Sequence, residues 1–491
     1  MRKTRRRLAR IGGVVGATFL CASPALAAEP GDVTLTSSPP MYPGFHGGAP
    51  DYAVRCRAGS PVKLAFAVDG ATRVSVGGKP GRSGRFTVPV SLAAGRAVGF
   101  KVDSGPDAGS YHLRCIPQDF PHWAAERTGS PQARWYLVTP IRLGYARPGY
   151  TIVFDRNGAP VWWMRESKGS PFTGSLLSDG IAWYPYQGTP YGIDKGIRFE
   201  EHALDGRLLR HFGAVGRITD HHELQVLPNN HALVISYVPR DHVDLRQLDP
   251  RLPSDATVVD GEIQEVDRNG KRVWRWSTKD HIALKEAARW WRAKPLRLRD
   301  RRIAYDIVHL NSVDVHGSRV VVSMRHTDAV YEIDKPSGDI VWKLGGTDTP
   351  QSLVLLGDPF GGSSFGGPHD PRLSDDGSRL TVFDNGTLRS RPPRAAEYTL
   401  DPLMKTATHV QSVTEPGVPE SLCCGSARHL PGGDWVVSWG GSFVITETDP
   451  GGSRIFMLHF AEERQSYRAV PILPSQMSAG KLRSGMDRQA K

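Results

Sequence analysis

Three histidines occupy equivalent positions in a repeated sequence pattern. His222, His309 and His369 each lie eight residues before the turn of a predicted hairpin, in HHELQVLPNN, HLNSVDVHG and HDPRLSDDG. In a repeat architecture, equivalent positions of successive repeats come together in space, so the three imidazoles should converge. Imidazole titrates near neutral pH and can act as a nucleophile, a general base or a general acid. The pattern therefore predicts a site for group transfer or acid–base catalysis.

The hairpin register places other polar side chains beside these histidines. In an antiparallel hairpin, a residue eight before the turn faces one about eight after it. This register predicts Arg325 beside His309 and Asn385 beside His369. Asn311 follows His309 by two residues and therefore lies on the same face of the strand. We predict that the catalytic residues are His222, His309, Asn311, Arg325 and His369.

Further side chains could contact a substrate at this mouth of the repeat. The same alignment places Arg428 of a fourth hairpin near the mouth, and Tyr186 and Trp439 flank it. The two aromatic rings could stack on an aryl group, although packing in the core or at the rim explains them equally well. We predict that the substrate-binding residues are Asn385, Arg428, Tyr186 and Trp439.

The residue types favour an anion over a metal ion. Three imidazoles could bind a transition metal. However, no Asp or Glu occupies the equivalent positions, and Arg325 carries a charge that cannot be removed. Arg, Asn and imidazolium all donate hydrogen bonds, which suits a tetrahedral oxyanion. The sequence therefore predicts no metal and no other cofactor.

The elements that carry these residues form a repeat of β-hairpins. From about residue 135 onward, alternating strands join at turns that contain Asp and Gly, as in IVFDRNGAPVWW and VYEIDKPSGDIVWKL. Six hairpins of this type alternate with five others, three of which carry the histidines. Two hairpins make one four-stranded blade, and 136–140 and 467–472 can complete the last blade. We therefore predict an all-β protein with a six-bladed β-propeller, closed so that no sheet edge is exposed.

Shorter parts flank this repeat. Residues 28–120 show short alternating strands separated by Gly, Pro and Ser, which predict a small N-terminal β-sandwich. The propeller then spans 121–475, with a helical insertion near 281–300. By its position this insertion projects either as a lid or wall at the histidine face or as a packing element. Residues 476–491 form a basic tail that we expect to be loose.

Four cysteines follow the first 27 residues. Cys56 and Cys115 lie in similar strand patterns, YAVRC and YHLRC, so we predict a disulfide between them. Adjacent Cys423 and Cys424 permit either a strained vicinal bridge or two thiols. Their spacing lacks the partners of a zinc site.

Residues 1–27 have the pattern of a secretory signal. A basic start, a short apolar run and an Ala-x-Ala site predict cleavage after Ala27. The apolar run is too short to span a bilayer, and no later stretch is apolar enough. Six basic residues among the first ten carry half of the formal net charge of +12, so the remaining chain lacks the basic stripe of a nucleic-acid-binding protein. We predict an exported protein, extracellular or in the periplasm or cell envelope, without stable membrane insertion and without a nucleic-acid partner.

On these residues the chain resembles the bacterial arylsulfate sulfotransferases. The resemblance rests on HHELQVLPNN, HLNSVDVHG, SMRH, and GPHDPRLSDDG followed by FDNG, and on the D-x-x-G-x-x-V-W repeats in a propeller behind a β-sandwich. It implies transfer of a sulfuryl group from an aryl sulfate to a phenol without a nucleotide sulfate donor. It also implies that His369 is a nucleophile that is transiently sulfated. The residues implied to hold the sulfuryl oxygens and serve the acid–base steps are His222, His309, Asn311 and Arg325.

Two other functions stay open on the residues alone. A propeller can bind a ligand or a partner protein without catalysis. A propeller can also carry a metal-dependent hydrolase or lactonase, which would need carboxylates at the channel positions. In the favoured case the partners are small-molecule phenols and aryl sulfates. The short N-terminal module, the adjacent cysteines and the insertion bear on the choice of acceptor and on whether the chain forms a homo-oligomer.

Overall fold

The structure is a computed structural model that describes residues 33–490, except 143, 146, 189–195, 288–294, 299, 361–364 and 462. The predicted signal segment 1–27 lies outside the described residues. The described chain is almost entirely β-structure and forms eight sheets. None of its described helices is both long and apolar enough to cross a lipid bilayer.

The first two sheets pack against each other around one apolar core. Their orders are β1-β4-β6 and β2-β3-β8-β7-β5. The strands are β1 (Val33–Ser38), β2 (Met41–Tyr42), β3 (Asp51–Arg55), β4 (Val62–Val68), β5 (Val74–Val76), β6 (Gly84–Val90), β7 (Ala97–Val102) and β8 (Gly109–Ile116). Every second residue of β4 is buried, as expected of a strand with one face on a core. The predicted Cys56–Cys115 disulfide is confirmed, with the two Cα atoms 5.7 Å apart.

The other six sheets follow one another along the chain. The strands up to the third of these sheets are β9 (Trp123–Arg127), β10 (Trp135–Ile141), β11 (Gly149–Asp155), β12 (Pro160–Glu166), β13 (Ser170–Leu176), β14 (Ile181–Tyr186), β15 (Phe199–His202), β16 (Leu208–Phe212), β17 (Leu224–Val226), β18 (Ala232–Val243), β19 (Ala256–Val266), β20 (Arg272–Ser277), β21 (Leu296–Arg297) and β22 (Ile303–Asp306). The remaining strands are β23 (Leu310–His316), β24 (Arg319–Met324), β25 (Ala329–Asp334), β26 (Ile340–Gly345), β27 (Val354–Leu356), β28 (Pro368–Leu373), β29 (Arg379–Asp384), β30 (Arg394–Asp401), β31 (Thr406–Val413), β32 (Ser426–His429), β33 (Trp435–Ser438), β34 (Val444–Thr448), β35 (Arg454–Phe460) and β36 (Gln465–Ile472).

These six sheets form a closed ring. Their innermost strands are, in chain order of the sheets, β36, β13, β17, β23, β28 and β32. The inner strand β36 contacts β13 on one side and β32 on the other, and β28 contacts both β23 and β32. β36 is the last strand of the chain, yet it pairs with β10 in the first sheet, with Trp135 opposite Ile472. The predicted all-β propeller, closed by strands from its two ends, is thus confirmed, and the described residues form six propeller sheets.

The pairing of two inner strands is irregular near their first residues. The register shifts between Leu310 and Ser312 in β23 and between His369 and Arg372 in β28. His309, directly before β23, has a left-handed backbone with φ of 52°, which is costly for a residue other than glycine. Such bulges and strained residues re-aim side chains at one rim of a sheet. This rim is therefore built to direct side chains.

The third propeller sheet is extended beyond four strands. β18 and β19 are long, and β22 pairs parallel to β19 and leads directly into Asp306. In the predicted insertion near 281–300, the described parts are helix α1 (Thr278–His281), a 3-10 turn (Leu284–Glu286) and β21. Residues 288–294, which include Trp290 and Trp291, lie outside the described residues.

The C-terminal residues form a helix rather than the loose end we expect from the sequence. Helix α2 (Ala479–Gln489) buries Leu482 and Met486 in the same core as the first propeller sheet. Arg483 forms an ion pair with Asp51 at 2.7 Å, which ties the helix to the N-terminal sheets. An apolar stripe within a basic segment explains why charge alone misdescribes this region.

Candidate functional site

His222, His309 and His369 lie at the rim where the inner strands begin. The ring of His222 lies 5.1 Å from that of His309. Tyr467, at the start of β36, lies 5.6 Å from the His222 ring and 6.2 Å from the His369 ring. All three histidines are buried. The three imidazoles therefore converge around Tyr467 in a single buried site.

Two of the three histidines are held by carboxylates. His222 Nδ1 lies 2.7 Å from Asp220 Oδ1, and that oxygen also accepts the backbone N–H of His222. His309 Nδ1 lies 2.6 Å from Asp306 Oδ2, and the other carboxylate oxygen accepts the backbone N–H of His309. Each Nδ1 therefore donates to its carboxylate, which fixes the ring and leaves Nε2 as the nitrogen that can exchange a proton with a substrate.

His369 is held by an amide and a carbonyl instead. Its Nδ1 lies 3.1 Å from Gly367 O and 3.1 Å from Asn385 Nδ2. The two N–H groups of Asn385 Nδ2 donate to Gly367 O and Cys424 O. Because those hydrogens are used, His369 Nδ1 donates its own proton to Gly367 O, and Nε2 carries the lone pair. This is the tautomer in which Nε2 can act as a nucleophile.

Arg325 supplies the positive charge of the site. Its backbone N–H donates to His309 O at 3.0 Å, as the hairpin register predicts. Its guanidinium contacts His326 Nε2 at 3.1 Å and the carbonyl of Leu422. Asn311 is fully buried; it donates to Pro368 O and accepts from Ser323, so it links the fourth and fifth propeller sheets.

Burial and Arg325 keep the imidazoles of His309 and His369 neutral. Burial lowers the pKa of His369 well below its ordinary 6.5, and the nearby Arg325 charge lowers it further. Burial, His222 and Arg325 act in the same direction on the pKa of His309. Burial would raise the pKa of Asp220, but the imidazoles of His222 and His221 hold it at about 2. The site thus combines the neutral imidazoles of His309 and His369 with a fixed cation, a setting that favours an anionic ligand.

The structure adds residues that the sequence pattern missed. His221 stacks on His222 at 4.2 Å, although strand alternation predicts that it faces away. His326 lies 4.7 Å from His309 and its Nδ1 contacts the Asp306 carbonyl at 2.5 Å. Asp220 and Asp306 precede their histidines by two and three residues, so D-x-H and D-x-x-H spacings were available as a signal. Tyr467 comes from the closing strand, and nothing local marks it.

Three other predicted site residues, Tyr186, Trp439 and Asn385, lie in different surroundings. Tyr186 is buried, and its ring lies 5.1 Å from that of His221 and 5.3 Å from that of Phe172. Trp439 is fully buried, donates to Thr446 and packs behind Phe383. Asn385 contacts His369 but is not its strand partner, because His369 pairs with Phe383.

Arg428 belongs to a separate ionic cluster on the inner strands. It donates to Asp370 at 2.7 Å, and Arg372 and Arg468 contact the same carboxylate. Glu223 pairs with Arg468 at 2.6 Å. Arg428 also lines a cavity of about 330 Å³ with His316 and Ser374, near the turns of these hairpins rather than near His369. The cluster thus lies deeper along the inner strands than the histidine site.

Two groups of side chains could hold a metal ion among the described residues. They are Asp220, His221 and His222, and Asp306, His309 and His326, with ligand atoms within 4.8 Å of one another in each group. The sequence has no Asp or Glu at the positions equivalent to the histidines. The structure nevertheless brings Asp220 and Asp306 into contact with two of the imidazoles. The donor set fits a divalent cation by type, but each carboxylate already accepts an imidazole N–H and a backbone N–H.

The fold and site together define a β-propeller protein with a buried histidine and arginine centre. A sequence model of the family described as arylsulfotransferase (ASST) matches residues 213–461. The match covers half of the chain and includes His222, His309, Arg325 and His369. The chain belongs to the arylsulfotransferase family. No curated protein matches the sequence.

The solved structures that match this chain are distant in sequence. A candidate 6-phosphogluconolactonase of Bacteroides fragilis NCTC 9343 is 12% identical, covers 85% of this chain and 99% of its own, and has a TM-score of 0.36. The β-propeller domain of Myceliophteria thermophila Cps50 (Swd1) is 10% identical, covers 68% of this chain and 89% of its own, and has a TM-score of 0.32.

Proposed function

We propose that this chain transfers a sulfuryl group from an aryl sulfate to a phenol through a sulfated His369. The observation that carries the proposal is the hydrogen bonding of His369. Its Nδ1 proton is donated to Gly367 O, so the Nε2 lone pair is available at neutral pH. Arg325 and the two carboxylate-backed imidazoles of His309 and His222 lie close enough to His369 to act on it electrostatically, which supports binding of a sulfate group beside it.

In the first half-reaction, His369 Nε2 attacks sulfur and the bond between sulfur and the phenolic oxygen breaks. Sulfuryl transfer should resemble phosphoryl transfer, with charge spread over three oxygens in a loose, in-line transition state. Arg325 and the Asn311 amide are the donors for those oxygens. Losing one such donor typically costs about 3 kcal/mol in comparable oxyanion sites. His309 or His222, protonated on Nε2 when the sulfate monoanion binds, gives that proton to the departing phenolic oxygen.

The second half-reaction reverses these roles. The acceptor phenol loses its proton to the imidazole that served as the acid, and its oxygen attacks the sulfur on His369. The bond between nitrogen and sulfur breaks, and His369 returns to its starting tautomer. Phenols suit the scheme because a phenolate is a far better leaving group than an alkoxide.

Asp220 and Asp306 act as positioning residues in this scheme. Each carboxylate fixes the orientation of one imidazole and stabilises its protonated form during the proton transfer. A bound sulfate monoanion also favours protonation of the imidazoles beside it, since it places a negative charge next to them. Binding of the donor is therefore coupled to uptake of a proton.

The test of this proposal is phenol release that depends on an acceptor. A chromogenic aryl sulfate is mixed with the full chain, with and without a second phenol. Transfer requires the acceptor for turnover, hydrolysis does not, and a binding protein gives no release. Mass spectrometry of chain incubated with donor alone should find one sulfuryl group on a peptide that contains His369. Turnover without any modified His369 would reject the covalent route.

A metal-dependent hydrolase is the second candidate, and the two Asp–His groups favour it. A bound divalent cation would supply a polarised water there. It would be held either by Asp220, His221 and His222 or by Asp306, His309 and His326. This function predicts phenol release without an acceptor, loss of release with a chelator, and recovery with added metal. Sulfuryl transfer predicts the same rate before and after chelation.

We also propose that the chain is exported to the periplasm or beyond the cell. The signal-like segment 1–27 and the Cys56–Cys115 disulfide support this location, since structural disulfides persist in oxidising compartments. Fractionation of cells that express the full chain, with detection of the processed form, tests it. A full-length chain in the cytosolic fraction would contradict it.

A further inference from the structure

Cys423 and Cys424 lie beside the site but take no part in the proposed chemistry. Their sulfurs are 2.6 Å apart, and both cysteines are free. Cys424 is buried, whereas Cys423 is partly exposed. A reagent from solvent can therefore reach Cys423 first, with Cys424 directly behind it.

The segment that carries these cysteines also positions two residues of the site. The carbonyl of Leu422 accepts from the Arg325 guanidinium, and the carbonyl of Cys424 accepts from Asn385 at 3.0 Å. Ser421 donates to the side-chain oxygen of Asn385 at 2.5 Å. The two acceptor carbonyls flank the peptide between the cysteines. Any change in that peptide's torsions therefore moves the groups that hold Arg325 and Asn385.

We propose that Cys423 and Cys424 form a covalent modification site that reacts with low-molecular-weight disulfides to give a vicinal bridge, and that the bridge weakens the proposed transferase activity through Arg325. This coupling rests on the proposed function, whereas the modification itself does not. The reagent class is a dialkyl disulfide such as oxidised glutathione.

The chemistry balances with that reagent alone. The Cys423 thiolate attacks one sulfur of the disulfide, the sulfur–sulfur bond of the reagent breaks, and one thiolate leaves and takes a proton. Cys424 then attacks the Cys423 sulfur, loses its proton to the second departing thiol, and closes the bridge. Two protein thiols are oxidised and one disulfide is reduced to two thiols.

The roles of the two thiols differ because of their surroundings. The hydrogen bond from Cys424 lowers the pKa of Cys423 to about 7, with help from Arg325. The same contact and burial raise the pKa of Cys424 well above its ordinary 9.0. Cys423 is thus the attacking thiolate, since the thiolate is the reactive form.

The bridge should be reversible and should disturb the site. Neighbouring Cα atoms are about 3.8 Å apart, closer than the usual spacing in a disulfide, so a vicinal bridge is strained and easily reduced. In the present structure the carbonyls of Leu422 and Cys424 accept from Arg325 and Asn385. Formation of the sulfur–sulfur bond changes the torsions of the peptide between the cysteines and therefore moves these two carbonyls.

The test uses the full chain equilibrated with oxidised and then reduced glutathione. Peptide mass spectrometry should show loss of two hydrogens on the peptide with Cys423 and Cys424, and their return on reduction. The rate of acceptor-dependent phenol release, as kcat/KM for the donor, should fall by about tenfold on oxidation and recover on reduction. The matched control is Cys423→Ala, which lacks the attacking thiolate and should show no reversible loss. Cys424→Ala can form only a mixed disulfide with glutathione and therefore separates the effect of that adduct from the effect of the bridge.

The outcomes separate this inference from the proposed function. Retention of two thiols, or only a mixed disulfide with glutathione, overturns the inference. So does a bridge that forms without changing the rate. If the chain shows no transfer in either state, the proposed function fails. The inference is then judged by inorganic sulfate, whose stabilisation of the chain against heat should be weaker for the bridged form than for the dithiol, and equal stabilisation rejects it.

Discussion

His369 and the pair formed by His222 and His309 are the same residue type in the same buried site, yet they are held in opposite ways. A carboxylate accepts the Nδ1 proton of each member of the pair, at 2.7 and 2.6 Å. His369 donates to a backbone carbonyl and lies against an uncharged amide. A carboxylate stabilises imidazolium and suits proton exchange, whereas a neutral partner suits a nucleophile that must not be protonated. The difference shows how one fold assigns separate roles to equivalent repeat positions.

The largest effect on activity should come from removing His369, the histidine whose hydrogen-bonding partners are uncharged. His369→Ala should lower acceptor-dependent phenol release by on the order of 10⁴-fold or more, since no other described group of the site takes its position. The modified peptide should also disappear from the mass spectrum. His242→Ala, at an exposed histidine, is the matched control and should leave the rate unchanged. Substantial turnover by His369→Ala would contradict the separate role of His369 as the nucleophile.

Removing a carboxylate from the pair should give a smaller and more specific effect. Asp306→Asn leaves His309 without support for a positive charge, so proton transfer to the leaving oxygen weakens. The rate should fall by about 10²-fold for aryl sulfates with poor leaving groups and little for those with good ones. Rates across a series of substituted phenyl sulfates measure this. An equal loss for every donor would indicate a purely structural role for Asp306.

Placing a carboxylate beside His369 tests whether its uncharged partner matters. Asn385→Asp places a negative charge 3.1 Å from His369 Nδ1, so the pKa of His369 should rise. The rate at neutral pH should fall by about tenfold, and the pH at which half of the activity is lost on acidification should move upward. The pH profile of kcat/KM provides the measurement. A profile identical to that of the parent chain would show that the amide has no such role.

The smallest effect concerns stability rather than activity. Burial lowers the pKa of His221 and His326 to about 3 and lowers the pKa of His309 and His369 well below 6.5. Below about pH 6.5 the unfolded chain binds protons that the folded chain does not. The stability contributed by these neutral rings is therefore present above pH 6.5 and is lost as the pH falls.

Each such ring should cost up to about 1.4 kcal/mol for every pH unit below 6.5. The raised pKa of Asp306 opposes this loss, and the lowered pKa of Asp220 adds to it at lower pH. Calorimetric unfolding between pH 7.5 and 5 measures the slope. His326→Asn should reduce that slope by about one proton relative to His242→Ala. A melting temperature that does not change over this interval would contradict the assignment of neutral rings.

Much of the architecture follows from local pattern. The period-two strands, the Asp–Gly turns and the alternation of two hairpin types predict the propeller, and the predicted closure of the ring by the pairing of β10 with β36 is confirmed. Cys56 and Cys115 are marked by their matching strands. The sequence analysis did not predict the C-terminal helix, because its buried face is formed by Leu482 and Met486 within a strongly basic segment.

The candidate site follows from the sequence less completely. The sequence predicts the equivalent positions of the three histidines, and with them Arg325 and Asn311, because hairpin register is a local property. The bulge after His369 breaks that register, so its strand partner is Phe383 and Asn385 approaches it diagonally. Trp439 and Arg428 carry suitable chemistry but lie in the core and in the ionic cluster. Which side of a strand a bulged residue faces depends on packing between sheets.

By itself, the sequence determined a closed repeat of hairpins with three imidazoles in one column and an arginine beside one of them. The tertiary structure decided how each imidazole is oriented and which groups from other sheets lie beside it. The physical reason is distance: Asp220, Asp306 and Asn385 reach their histidines through local turns and one hairpin, whereas Leu422 and Tyr467 come from a loop and a strand that only ring closure brings to the site. Protonation depends on these neighbours, and therefore so does the division of chemical roles.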